Sequence, residues 1–151
     1  MAKSLSEAQV KEQDQLHSFL NFFSTHVSGI SPDNPIHPRN VRPAILARYG
    51  VIKAFAGLKE AINDVIEETR PWSPEEVAVF NTECAKHGLV TLSELRRRYS
   101  GRYKSIVQRG RIRSDTEYYL VMGVLADVSQ GEDDSERQKL EQMVHEYESR
   151  K

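Results

Sequence analysis

A single cysteine, Cys84, occurs in the 151 residues, so no disulfide can form within the chain and a thiol-stapled secreted fold is excluded. No apolar run approaches the ~18 residues needed to span a membrane. The opening segment MAKSLSEAQVKEQDQ is polar and lacks the apolar centre of a signal peptide. These absences set the expectation of a soluble, cytoplasmic protein. Excess charge of one sign is lacking too. A formal net charge of −1 argues against a chain that coats nucleic acid with its whole surface.

Signatures of chemistry are equally scarce. There is no G-x-S-x-G, P-loop, dinucleotide glycine fingerprint or H-E-x-x-H. Cys84 and His87 lie three apart on an expected helix, but zinc needs further ligands and none stands at a suitable spacing. Cys84 falls on an apolar stripe with Val77 and Phe80, which marks it as a core thiol. His17 and His26 are nine apart on one helix and face opposite ways. His37, between Ile36 and Pro38, is expected at the surface. The adjacent carboxylates Glu67–Glu68 and Asp133–Asp134 point about 100° apart on a helix, a poor arrangement for sharing a substrate. The expectation is a protein that is not an enzyme, with no cofactor and no metal.

What is present in quantity is helix punctuation. Ser4 with Glu7, Ser73 with Glu76, Thr91 with Glu94 and Ser114 with Glu117 all have the spacing of a capping box, each ahead of an apolar periodic run. The first helix is expected over about 5–28, with Leu16, Phe19, Leu20, Phe23 and Val27 on one face and Gly29 as its stop. SPDNPIHPRN, residues 31–40, reads as the longest irregular connection. A helical region over about 41–69 carries Ile45, Leu46, Ile52, Phe55, Leu58, Ile62, Val65 and Ile66, with Pro43 in its first turn and Gly50 as a break within it.

Ser73 caps a third helix that ends near Gly88, and Trp72 before it fits a hydrophobic staple or an exposed anchor. Two short helices, about 92–99 and 102–109, meet at Ser100–Gly101. A sixth spans about 115–128, a turn follows at QGEDDS, and Leu140, Met143, Val144 and Tyr147 stripe a last one. No run is followed by a hairpin signal. The fold class is therefore all-α: a single compact domain, 1–151, of six or seven helices, with a short helix pair around residues 92–109 and frayed ends at 1–4 and 148–151.

Charge is segregated along this helical chain. Residues 86–113 hold nine lysines and arginines against Glu94 alone, a net +8. The flanking blocks 56–83 and 127–148 carry −5 and −6. A near-neutral protein thus sets one basic block between two acidic ones. Three readings follow. In the first, the basic block meets an acidic protein partner, as an inhibitor, immunity factor or adaptor would, because Arg and Tyr are favoured anchors at interfaces. The partner-binding residues are then Arg96, Arg97, Arg98, Arg102, Tyr103, Lys104, Arg109, Arg111 and Arg113.

In the second, ELRRRYSGRYKSIV is a degenerate helix-turn-helix at 92–109 that binds DNA or RNA. Leu95 and Ile106 are eleven residues apart, as the inward positions of that motif should be. Arg96 stands where the motif prefers a small residue, and Gly101 falls one position late. In the third, the block is only a solvated face, paired within the fold to the acidic C-terminal segment. An acidic protein is the first choice of partner and nucleic acid the alternative.

Overall fold

Five helices of this chain begin where a hydroxyl can take the amide three residues on, which removes one of the donors a helix start leaves without a partner. Ser6, Ser73, Thr91, Ser100 and Ser114 accept in this way from the backbone N–H of Gln9, Glu76, Glu94, Tyr103 and Glu117. The computed structural model describes residues 4–127 and 134–150. Among them are seven helices and no strand: α1 (Glu7–His26), α2 (Pro38–Glu68), α3 (Pro74–Lys86), α4 (Leu92–Tyr99), α5 (Gly101–Arg109), α6 (Asp115–Ala126) and α7 (Asp134–Ser149). The all-α class and the short helix pair are as the sequence implies.

Two details of punctuation differ. The first box is Ser6 with Gln9, not Ser4 with Glu7, because the Gln9 side chain returns the bond to the Ser6 N–H at 2.9 Å. Thr91 and Ser114 keep their cap bonds, but Glu94 and Glu117 do not close the boxes: both are taken by arginines. Most of the QGEDDS turn, the end expected for the sixth helix at 127–128, and the extreme ends at 1–3 and 151 lie wholly or partly outside the described residues.

Packing separates two compact units, Met1–Val65 and Ile66–Lys151. In the first, Leu16, Phe19 and Phe23 of α1 are buried, as are Phe55, Leu58, Ile62 and Val65 of α2. The stripe expected on α2 does not extend back through Ile45 and Ile52, which are 37% and 40% exposed. Gly50 accounts for Ile45. At φ 79°, ψ 171° it leaves the helical conformation, so the turns before it are not in phase with those after, whereas Ile52 follows the break and belongs to the exposed first turn of the second stretch.

His37 corrects the expectation of exposure, for it is buried. Its Nδ1 accepts from the Arg39 N–H at 3.2 Å, so the neutral ring carries its proton on Nε2 and donates to Thr25 Oγ1 at 2.9 Å. Thr25 in turn donates to the Asn21 carbonyl. A loop histidine is thereby tied to α1.

The second unit is organised around α6, which contacts α3, α4, α5 and α7. Its sequence, DTEYYLVMGVLA, is apolar on nearly every side, as a central helix requires. Val121 and Val124 join Tyr103, Ile106, Ile112, Leu140, Met143 and Val144 in one core. Tyrosine hydroxyls fasten α7 to it: Tyr103 donates to Glu136 at 2.8 Å, Tyr118 to Glu148 at 2.5 Å and Tyr147 to Asp115 at 2.6 Å. Cys84 lies fully buried in α3. Burial, with the Asp127 and Glu83 charges adding to it, pushes its thiol up to about 12.

Candidate functional site

The basic block folds as α4, the single linking residue Ser100, α5 and the segment to Ser114. Successive residues on a helix turn by about 100°, so the run Arg96-Arg97-Arg98 cannot form one face. It divides accordingly. Arg97 and Arg98 reach back three and four residues to the same acid. Arg97 Nε and Nη2 each lie 2.7 Å from Glu94, and Arg98 Nε lies 2.6 Å from it. Glu94 is itself only 3% exposed. Arg97 also approaches Glu136 of α7 at 3.4 Å. The hydrogen bond that Arg97 donates to Glu94 holds its guanidinium above its ordinary range, against the opposing effect of burial.

Arg96 turns inward. It is 8% exposed, and its Nη2 donates to the Thr69 carbonyl at 2.9 Å and to Thr69 Oγ1 at 3.2 Å. No carboxylate of a described residue pairs with it, and burial alone pushes its ionisation down from the ordinary arginine value. Farther along, Arg109 pairs with Glu117, which also accepts from the Arg113 N–H at 2.8 Å. Burial would raise the Glu117 carboxyl, but these bonds and the two positive charges outweigh it and hold the group below its ordinary value. Tyr103 is buried, and burial together with its bond to Glu136 raises its hydroxyl.

The nine residues singled out from sequence therefore do not share one surface. Arg97, Arg98 and Arg109 are neutralised within the unit, and Arg96 and Tyr103 are interior. Arg102, Lys104, Arg111 and Arg113 remain: their side chains make no ion pair or hydrogen bond with a described residue. Lys104, Arg111 and Arg113 are exposed and Arg102 is half-buried.

Arg102 also lines a groove of about 720 Å³ within the second unit. Trp72, Val77, Tyr119 and Leu120 provide its apolar lining. Arg70, Arg96 and Arg102 are its cations and Glu67 its carboxylate, with Arg70 held 3.6 Å from Glu67. Trp72 stands edge-on to Phe80, ring centres 5.5 Å apart, so the indole is braced from behind. Tyr119 is 51% exposed, whereas its neighbour Tyr118 is bonded to Glu148. One aromatic of the pair packs and the other is presented.

Sequence reasoning missed Arg70, Thr69 and Tyr119 as parts of a common site. Residues 69–72 and 116–123 are brought together only by the fold. The local signal for Trp72 was its position between Pro71 and the Ser73 cap, which suits a staple and an anchor equally. Among the described residues, no three His, Cys, Asp or Glu side chains gather where a metal ion could be held, and no helix is long and apolar enough to cross a membrane. The one-residue link between α4 and α5 is shorter than the roughly three- or four-residue turn of a DNA-binding helix pair.

No protein-family model, curated protein or solved structure matches the chain.

Proposed function

We propose that this chain is a non-enzymatic binding protein whose unpaired cations on α5 and the segment after it, Arg102, Lys104, Arg111 and Arg113, take up an acidic segment of a partner protein that wraps this region. The observation that carries the reading is the unequal neutralisation of the basic block. Arg97 and Arg98 share Glu94 and Arg109 has Glu117, whereas these four have no acid among the described residues. Unpaired cations clustered on one segment attract acidic partners and speed their encounter. The adjoining aromatic groove supplies the apolar contact that pure charge attraction lacks. A protein is favoured over nucleic acid because α4 and α5 lack the turn of a helix-turn-helix, and because Arg96, Arg97 and Tyr103 are engaged within the unit.

The test compares an acidic peptide, rich in Asp and Glu with interspersed leucines, against duplex DNA at low salt. Peptide binding is expected, and the triple variant Arg102→Glu, Lys104→Glu, Arg111→Glu should weaken it by at least about tenfold with helicity unchanged. Arg97→Gln should leave the affinity within about twofold. Peptide affinity that survives the triple reversal overturns the reading. Duplex DNA bound more tightly than the peptide, with steep salt dependence, would replace it with the nucleic-acid alternative.

A further inference from the structure

Arg96 is the one buried cation of the basic block that has no acid, and its geometry shows where one would enter. A guanidinium carries five N–H donors. Nη2 serves Thr69, but Nε and Nη1 make no hydrogen bond with any described residue. Neither is among the atoms sealed from solvent without a partner. Both therefore keep some contact with solvent, and Arg96 lines the groove. A desolvated guanidinium with donors to spare binds an incoming anion more strongly than an exposed one, since little water must be displaced and the local dielectric is low. Arg102 lines the same groove, and Arg70 is already engaged by Glu67.

We propose that the groove receives, from the acidic partner segment, a carboxylate next to a large apolar side chain, with Arg96 and Arg102 taking the carboxylate and Trp72 and Tyr119 the apolar group. This deepens the acidic-partner reading and rests on it. A singly charged carboxylate suits the site better than a phosphate, because Glu67 repels a second negative charge at the rim and most of the remaining lining is apolar. The Trp72 ring, braced by Phe80, and the presented Tyr119 ring offer rigid faces at small entropic cost.

Trp72 is the only tryptophan of the chain, so its emission reports on the groove alone. The experiment titrates the intact protein with three peptides that contain no tryptophan or tyrosine. One is acidic with a single Glu-Phe pair, one is all acidic, and one replaces the glutamate of the pair with phosphoserine. Calorimetry reads affinity and fluorescence reads Trp72. The Glu-Phe peptide should bind about tenfold more tightly than the all-acid peptide and shift Trp72 emission. Tyr119→Ala and Arg96→Met should each erase that advantage, with the all-acid affinity changed by less than about twofold.

A Glu-Phe peptide bound no better than the all-acid one, or bound with silent Trp72 emission, would sink the groove assignment and leave the acidic-partner reading standing. No binding by any peptide removes both. Preference for the phosphoserine peptide overturns the choice of carboxylate. Tyr119 is exposed, so its variant carries the test even if Arg96→Met does not fold.

Discussion

The two ends of the basic block have similar composition and opposite fates. In α4 three consecutive arginines follow one buried glutamate and leave little free charge: two close on Glu94 and the third is withdrawn to Thr69. From α5 to Ser114 the cations are spaced, Glu117 takes Arg109, and four are left without an acid among the described residues. Density of charge in a sequence is thus a poor guide to the potential at the surface. What matters is whether an acid stands three or four residues away, where a helix brings it alongside.

The sharpest way to break the contrast is to remove Glu94. Glu94→Ala removes the buried acid that Arg97 and Arg98 share, and should cost about 2 kcal/mol in urea unfolding. A loss below about 1 kcal/mol would mean that water already serves both guanidiniums and that α4 is no different from α5. Tyr103→Phe comes next. It deletes the hydroxyl that donates to Glu136, and should cost about 1 kcal/mol by the same measurement.

The Arg109–Glu117 pair can be separated by pH. Its folded-state carboxyl is held below the ordinary 4.5, so the stability it contributes is present above that value and lost as pH falls through the folded one. Unfolding midpoints of the native chain and Glu117→Gln should differ by a constant amount, equivalent to about 1 kcal/mol, from pH 6 to 8, and converge on acidification below about 4.5. A gap that persists in acid would place the effect of Glu117 in packing. The smallest effect belongs to Arg96. The Thr69 carbonyl also accepts from the Trp72 N–H at 3.0 Å, so Arg96→Met leaves no orphaned acceptor and should stay within about 1 kcal/mol of the native chain. A larger loss would make Arg96 a structural residue like Glu94.

Much of the fold was legible because its determinants are local. Ser73, Thr91 and Ser114 each meet an amide three residues away, and apolar residues recur at helical steps through α3 and α7. The quenching of Arg97 and Arg98 was also local: Glu94 stands at the right spacing, and summing charge over 86–113 hid it. The misreadings came from longer range. His37 is buried and bonded to Thr25, and Ile45 is exposed because one glycine resets the helix after it. The groove joins 66–77 to 96–102 and 116–123 through tertiary packing, so no window of sequence contained it.

The lone thiol has a use that follows from its depth. At neutral pH a sulfur with a pKa of about 12 is almost wholly protonated, and Cys84 is closed off as well. The folded chain should therefore be inert to alkylating reagents. Each labelling event then marks an opening of α3, which makes the rate of modification a clock for local unfolding. A cysteine introduced at an exposed position would react alone, giving the native background of a cysteine-free protein without any further substitution.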